Sequence, residues 1–206
     1  MGGLTEFGTF TFWAWNLQGV YYLFTLYLHV LPDPSPLLIQ TTVILFEVSF
    51  SVAILVTVVV TFVLIPVGIH MKEDVEGLFA PLALIMHNLN VIFMVLELIW
   101  NQIKFDLSHL PFVILFGLVY VIAAWFIAYS QGYFFYFFLN FNQPKCILLH
   151  LALVLALSLF YLISYFTTIW LNPEDNLLAI PVLLFGTWFI CCIQSPEVKD
   201  LSTKSE

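Results

Sequence analysis

The stretch LLIQTTVILFEVSFSVAILVTVVVTFVLIPVGI, residues 37–69, decides the fold. It contains one charged residue, Glu47, and it is longer than the roughly 20 apolar residues that carry a helix across a bilayer. The rest of the chain has the same character: 62% of its 206 residues are hydrophobic and 9% are charged, against about 25% charged in a soluble domain. The sequence therefore predicts an all-α, multi-pass membrane protein.

Apolar runs separated by clusters of Pro, Gly and charged residues predict six transmembrane helices. The predicted ranges are 7–31, 37–69, 78–103, 112–138, 147–171 and 177–193. Six spans fill residues 1–194 as a single transmembrane domain and leave 195–206 as a short polar tail. Any function is therefore expected to lie within the bilayer.

The lysines predict the orientation of these spans. An even number of spans puts both termini on one side, and four of the five basic residues fall on that side. These are Lys72, Lys145, Lys199 and Lys204, with Lys104 opposite. Because basic residues accumulate on the cytosolic side of membrane proteins, both termini and the tail are predicted to be cytosolic.

Composition also excludes several classes of function. All basic residues are lysines, so the chain offers neither bidentate arginine contacts to phosphate nor a basic patch for nucleic acid. The cysteines Cys146, Cys191 and Cys192 lack metal-binding spacing, and the five histidines stand too far apart for a histidine-box iron site. We expect no metal and no cofactor; the expected partners are the bilayer and a lipid.

Three predicted helices carry a polar stripe, since residues spaced by 3, 4, 7 or 11 share one helix face. The members are Thr11, Trp15, Gln18, Tyr22, Thr25 and His29 in the first helix, His87, Asn90, Met94, Glu97 and Asn101 in the third, and His150, Tyr161, Ser164 and Thr168 in the fifth. Polar faces towards lipid are costly, so these stripes should meet inside the bundle. They indicate either a polar pocket or interhelical hydrogen bonds.

Thr11 and His87 are the candidates for chemistry within these stripes. At 1.5 Å per residue, Thr11 lies about 6 Å and His87 about 14 Å along helices that start at the cytosolic face, so both fall in the same leaflet. A threonine hydroxyl becomes a nucleophile when a nearby base takes its proton, and neutral imidazole suits that role. The buried carboxyl groups of Glu47 and Glu97 indicate an alternative, a proton or cation path.

The residues that follow resemble a known family. The pattern T-F-x-x-x-x-x-Q-x-x-Y-Y from Thr11 to Tyr22 is similar to the first helix of the androgen-induced and androgen-dependent tissue-factor-pathway-inhibitor-regulating membrane proteins. The resemblance continues to residue 139. Its further positions are Met86, His87, Phe93 and Glu97 in the third helix and Tyr120, Gly132, Tyr136 and Leu139 in and after the fourth.

The resemblance implies a threonine-type intramembrane hydrolase that cleaves fatty acid esters of hydroxy fatty acids. By position, Thr11 is then the nucleophile and His87 the base. Asn90, one turn from His87, is expected to orient the imidazole. Gln18 is expected either to donate to the oxyanion or to bind the substrate carboxylate, and its distance of two turns, about 10 Å, from Thr11 favours the second role. Tyr22 and Glu97 complete the predicted supporting residues.

Three features differ from the family pattern: Asn88 follows the histidine, Ile85 stands before Met86, and the basic C-terminal tail is missing. These differences concern the choice of substrate more than the Thr11–His87 pair. Two alternatives to the hydrolase remain open. One is a non-catalytic membrane protein like the related rolling-stone-like proteins, and the other is a small transporter built on Glu47 and Glu97.

Overall fold

The regular structure of the protein is helical throughout the residues that the computed structural model describes, which are 8–72, 75–136, 139–142, 144–172 and 176–191. We number the main helical rods α1 to α6. Their bounds are Phe10–Val30 for α1, Pro36–Val59 with Val60–Leu64 and Ile65–Met71 for α2, Pro81–Leu84 with Ile85–Leu89 and Asn90–Asn101 for α3, Leu110–Gln131 for α4, Cys146–Trp170 for α5 and Ala179–Ile190 for α6. The 3₁₀ turns Glu76–Phe79 and Leu107–His109 precede α3 and α4.

Local sequence signals start the first two helices. The Thr9 side chain caps α1 by accepting a hydrogen bond from the Phe12 N–H, and Ser35 caps α2 by accepting one from the Leu38 N–H. Pro36 follows at the first position of α2, where its missing N–H costs nothing. The intervening segment, rich in proline, thus sets the turn between the two helices.

Helix α2 is the centre of the bundle and packs against α1, α3, α4 and α5. Apolar residues lie on all sides of this helix, with a few buried polar side chains among them, and most side chains between Phe46 and Thr57 are buried. A helix that is hydrophobic on all sides is expected in a fully enclosed position. The apolar stretch 37–69 therefore forms the helix that is most enclosed by the other helices of the bundle.

Two helices change to π-helical hydrogen bonding part of the way along. In α2 the π stretch Val60–Leu64 ends two residues before Pro66. Proline lacks an N–H and its ring collides with the carbonyl group four residues earlier, so a local widening accommodates it. In α3 the π stretch is Ile85–Leu89, and it contains His87.

Within the described part of the chain, four helical segments are long and apolar enough to cross a membrane: Pro36–His70, Pro81–Asn101, Leu107–Gln131 and Cys146–Trp170. The protein is thus an integral membrane protein, and its described helices follow the predicted order. Helix α1 has sufficient length, with 21 residues, but its polar stripe lowers its mean hydropathy. Helix α6 has only 12 residues. Six spans therefore remain a prediction, and the predicted tail, 195–206, lies outside the described residues.

The fourth helix ends earlier than the sequence indicated. It was predicted to extend to residue 138, whereas α4 ends at Gln131 and Gly132 adopts a left-handed conformation with φ of 77°. The Gly132 N–H donates to the Ala128 carbonyl group and closes the last turn. Aromatic residues after Gly132 are apolar enough to extend a transmembrane pattern, so hydropathy alone missed this glycine terminator.

We predict that Gly132→Ala destabilises the protein by about 1 kcal/mol, because a side chain is disfavoured at positive φ. A Cβ atom at Gly132 would meet nothing within 4 Å, so the cost is one of backbone conformation. Gly19→Ala, in the interior of α1 and equally free of neighbours, is the matched control and should not destabilise. Thermal unfolding in detergent would contradict the prediction if the two variants shifted equally.

Candidate functional site

The polar faces of α1 and α3 meet at two levels, as their periodicity predicted. At one level the Trp15 indole N–H donates to the Met86 carbonyl oxygen over 2.8 Å. About two turns further along α1, the Tyr21 hydroxyl donates to Glu97 Oε1 over 2.7 Å. Tyr21 also packs against Phe46 of α2, with ring centroids 5.5 Å apart. These contacts define a polar seam between α1, α2 and α3.

Gln18 and Asn90 lie on this seam between the two levels. Each is only 1% exposed, and the nitrogen and oxygen of both amides have no hydrogen-bond partner among the described residues. Tyr22 approaches Gln18 without the geometry of a hydrogen bond. The structure thus places the predicted supporting residues Gln18, Asn90, Tyr22 and Glu97 along one interface.

His87 lies at the end of the seam where Trp15 bonds to Met86, within the π stretch of α3. The Thr57 hydroxyl donates to the His87 carbonyl oxygen, while Trp15 donates to the neighbouring carbonyl of Met86. Side chains of α2 and α1 therefore satisfy carbonyl groups where the regular α-helical pattern is interrupted. The His87 ring is partly buried, and its Nδ1 atom is buried without a partner among the described residues.

Thr11 is buried and lies in the wall of a cavity of about 140 Å³. The cavity lies between α1, α2, α4 and α5, and the polar side chains among its described lining residues are those of Thr11, Tyr120 and Tyr136. Its lining residues are Phe10, Thr11, Leu55, Val56, Val59, Val60, Leu64, Gly117, Tyr120, Val121, Tyr136, Leu153, Ala156 and Leu157. Such a lining suits an apolar chain with a single polar group close to Thr11.

Two tyrosines line the cavity together with Thr11, the candidate nucleophile: Tyr120 within α4 and Tyr136 after the end of α4. The Tyr136 hydroxyl has the Phe10 N–H and the Thr11 side chain as hydrogen-bonding neighbours. Burial raises the pKa of the Tyr136 hydroxyl, against the opposing effect of these two neighbours. The phenol therefore keeps its proton at neutral pH. Tyr120 is buried as well and donates to the Gly8 carbonyl oxygen over 2.9 Å, which fixes the chain just before α1.

Tyr136 was not among the predicted site residues, although it belongs to the pattern that carries the family resemblance. A residue that follows a helix in an aromatic run is most simply explained by packing at the membrane interface. Only the tertiary structure brings it back against the start of α1. Its recurrence at a fixed position in the resemblance pattern was the one signal that pointed to it.

Among the hydrogen bonds of the described residues, none joins Thr11 to His87. No residue of α3 lines the cavity at Thr11. The two helices nevertheless touch close to both residues, because Trp15, one turn after Thr11, bonds to the residue before His87. The catalytic pair accordingly stays a prediction, with its two members on helices in contact.

Glu47 is the centre of a second and separate polar cluster at the other end of α2. Its side chain is fully buried. The Asp106 N–H donates to Glu47 Oε1 over 3.1 Å, and His109 Nδ1 lies 2.9 Å from Oε2. The Tyr161 hydroxyl lies 2.6 Å from Glu47 Oε2 and 2.7 Å from the Asp106 carbonyl oxygen. This cluster ties the loop between α3 and α4 to α2 and α5.

The polar stripe of the fifth helix joins this second cluster instead of the seam. Tyr161 bonds to Glu47, and Thr168 accepts from the Phe105 N–H over 3.2 Å. His150 lies against the Trp125 ring, with its Nδ1 atom 2.7 Å from the Cys146 carbonyl oxygen. The expectation that all three stripes meet one another is thus wrong, because the loop before α4 occupies the space beside α5. Glu47 and Glu97 belong to different clusters.

We predict that Glu47→Leu destabilises the protein by about 3 kcal/mol, since removing the buried carboxylate leaves partly buried donors without an acceptor. The Asp106 N–H and His109 would lose their shared partner. Glu47→Gln, which keeps one acceptor oxygen, should lose less, and Asp33→Asn, at an exposed loop carboxylate, should be neutral. Thermal unfolding of the three variants tests this, and an unchanged transition for Glu47→Leu would contradict it.

Comparison with known proteins assigns neither a family nor a function to the chain. No protein-family model, no curated protein and no solved structure matches the chain. The function is therefore argued from the seam, the cavity at Thr11 and the cluster at Glu47.

Proposed function

We propose that the protein is an intramembrane hydrolase of lipid esters, with Thr11 as the nucleophile and His87 as the base. The observation that carries this proposal is the position of Thr11. Its side chain is one of few polar groups in the wall of an apolar cavity of about 140 Å³. The family resemblance implies the same residue and a fatty acid ester of a hydroxy fatty acid as the substrate.

The cavity accounts for recognition of an acyl chain. Each buried methylene group contributes about 0.8 kcal/mol to binding, and the walls formed by α2, α4 and α5 offer almost only aliphatic and aromatic contacts. An acyl chain lying there would present its ester carbonyl to Thr11. A charged or strongly polar substrate would lose its hydration without compensation in the same space.

The proposed reaction has two steps. His87 takes the Thr11 hydroxyl proton while the Thr11 oxygen attacks the ester carbonyl carbon and forms a tetrahedral oxyanion. The oxyanion collapses, the ester C–O bond breaks, and the leaving alcohol receives the proton from His87. A water molecule then attacks the acyl-threonine in the same manner and releases the fatty acid.

Closure between α1 and α3 is the movement that this mechanism requires. Catalytic hydrogen bonds are often longer in a substrate-free enzyme and shorten once the substrate is bound. The Trp15–Met86 hydrogen bond already holds the two helices together one turn from Thr11. The π stretch around His87 supports a functional role for this residue, because π-helical turns occur frequently at functional sites.

Tyr136 acts in this proposal as a positioning residue for Thr11. Its hydroxyl is a hydrogen-bonding neighbour of the Thr11 side chain, and a neutral phenol can orient the threonine oxygen without removing its proton. Gln18 and Asn90 lie in the seam and not in the cavity wall. The proposal therefore does not use Gln18 for binding the substrate carboxylate. Neither the Asn90 amide nor His87 Nδ1 has a hydrogen-bond partner among the described residues, so the orienting role of Asn90 stays a prediction.

The proposed topology is six spans with both termini in the cytosol. Four segments satisfy the length and hydropathy expected of a span, and α1 and α6 complete the antiparallel series of apolar helices. The excess of lysines at one end of that series supports the orientation. In this topology Thr11 and His87 lie in the cytosolic leaflet, within reach of the ester group of a lipid in the same leaflet.

We predict that wild-type protein in nanodiscs reacts with a fluorophosphonate probe directed at activated hydroxyl groups. Thr11→Ala should abolish labelling, and His87→Ala should lower it about 100-fold or more, as expected on removal of a general base. Tyr136→Phe should lower labelling less while the transition temperature stays close to that of wild type. Gel fluorescence after labelling for a fixed time gives the result.

Thr25→Ala is the matched control for this experiment, since Thr25 lies on the same helix as Thr11 and its hydroxyl donates to the Tyr21 carbonyl oxygen one turn earlier. It should label like wild type. A well-folded wild type that does not label, or a Thr11→Ala variant that labels normally, would contradict the proposed nucleophile.

We also predict that Ala156→Phe shortens the longest acyl chain accepted, because the larger side chain fills part of the cavity. Hydrolysis of a series of esters with increasing acyl length should show an unchanged rate for short chains and a loss for long ones. Ala123→Phe, on α4 outside the cavity lining, is the control. An equal loss at all lengths would mean that the cavity does not hold the chain.

A further inference from the structure

Three polar side chains are buried in the seam without partners. Gln18 of α1, Ser49 of α2 and Asn90 of α3 are 1%, 2% and 1% exposed. The amide atoms of Gln18 and Asn90 and the hydroxyl oxygen of Ser49 have no hydrogen-bond partner among the described residues. Three helices thus each contribute one unsatisfied polar side chain.

Observed contacts place these three side chains at neighbouring heights. Gln18 lies one turn after Trp15 and one turn before Tyr21, the two residues that bond to α3. Asn90 lies between Met86 and Glu97, which are the acceptors of those two bonds. Gln18 and Asn90 therefore lie on the facing sides of α1 and α3.

Ser49 completes the set from the third helix. It lies one turn beyond Phe46, which packs on Tyr21, in the direction of Thr57, which bonds to the His87 carbonyl. Because α2 lies antiparallel to α1 in this series, one turn beyond Phe46 corresponds to one turn before Tyr21, the position of Gln18. The unpartnered His87 Nδ1 atom lies one turn from Asn90.

Leaving these groups dry would be costly. An unsatisfied buried amide or hydroxyl group loses its hydration without compensation, and nearly all buried polar groups of native proteins are hydrogen-bonded to protein or to ordered water. The set contains amide donors, carbonyl acceptors and a hydroxyl group that does both. Their near-complete burial leaves access only to a very small ligand that both donates and accepts.

We propose that Gln18, Ser49 and Asn90 form an internal water-binding site between α1, α2 and α3. Water meets each requirement, since buried waters typically make about three hydrogen bonds to otherwise unsatisfied polar groups. The site rests on the hydrogen-bond inventory of the seam and stands independently of the hydrolase proposal. Where Thr11 and His87 are catalytic, it also provides water one turn from the base.

Radiolytic footprinting of the full chain in nanodiscs tests this site, because X-rays generate hydroxyl radicals from bound water beside the residues that hold it. Tyr21 and Tyr161 are a matched pair of reporters: both are at most 2% exposed and both bond to a carboxyl group. Tyr21 lies beside the proposed water and Tyr161 in the directly bonded Glu47 cluster. Tyr21 should be labelled about fivefold faster, as expected for a side chain next to ordered water.

The fully buried Met94, one turn from Asn90, is a third reporter and should also be labelled. The combined variant Gln18→Leu, Ser49→Ala, Asn90→Leu should reduce labelling of Tyr21 and Met94 to the level of Tyr161. The single variant Ser49→Ala removes only one oxygen and replaces the combined variant if that one does not fold. It should reduce labelling of Tyr21 and Met94 by about half. Asn16→Leu, at an exposed amide of the same helix, is the control and should leave labelling unchanged.

Two results would overturn the proposal. Wild-type Tyr21 and Met94 that are labelled no faster than Tyr161 would mean that the seam is dry and that the amides bond directly to each other. Labelling that persists in the folded variants would mean that other residues hold the water. Neither result depends on the fluorophosphonate experiment, so failure of the hydrolase proposal and failure of this site are distinguishable.

Discussion

The structure depends on one constraint: a polar group within the bilayer has to find its partner inside the protein, because lipid offers none. Helix α2 meets this constraint by being mostly apolar and by placing its single carboxyl group, Glu47, against donors from the loop before α4 and from α5. Helices α1 and α3 meet it by turning their polar faces towards each other. The arrangement of the bundle follows from where these groups are satisfied.

The same constraint separates the interior into two regions of different chemistry. The seam between α1, α2 and α3 holds amides, hydroxyl groups and the imidazole of His87, whereas the cavity beside α4 and α5 is lined almost entirely by apolar side chains. Thr11 lies at the start of α1, where its stripe borders the seam and its side chain reaches the cavity. A lipid ester has the same division between a polar carbonyl group and an apolar chain.

Several features could be predicted from the sequence because they depend on short-range patterns. The apolar stretches gave the order and approximate position of the helices, and helical periodicity correctly brought the faces of α1 and α3 together. The fate of the third stripe could not be predicted this way. Periodicity shows that Tyr161 and Thr168 point inward, but it does not show that the loop containing Phe105 and Asp106 folds back to reach them.

The sequence by itself determined an all-helical membrane protein and the faces on which its polar residues lie, since hydropathy and the 3.6-residue period are properties of single segments. The tertiary structure alone decided the partners of those residues. Tyr136 reaches Thr11 only because Gly132 ends α4 and lets the chain return to α1. Glu47 is held by a loop far along the chain, and the Tyr21 hydroxyl of α1 reaches Glu97 of α3. Such contacts depend on how whole helices pack, and that is not encoded in any one of them.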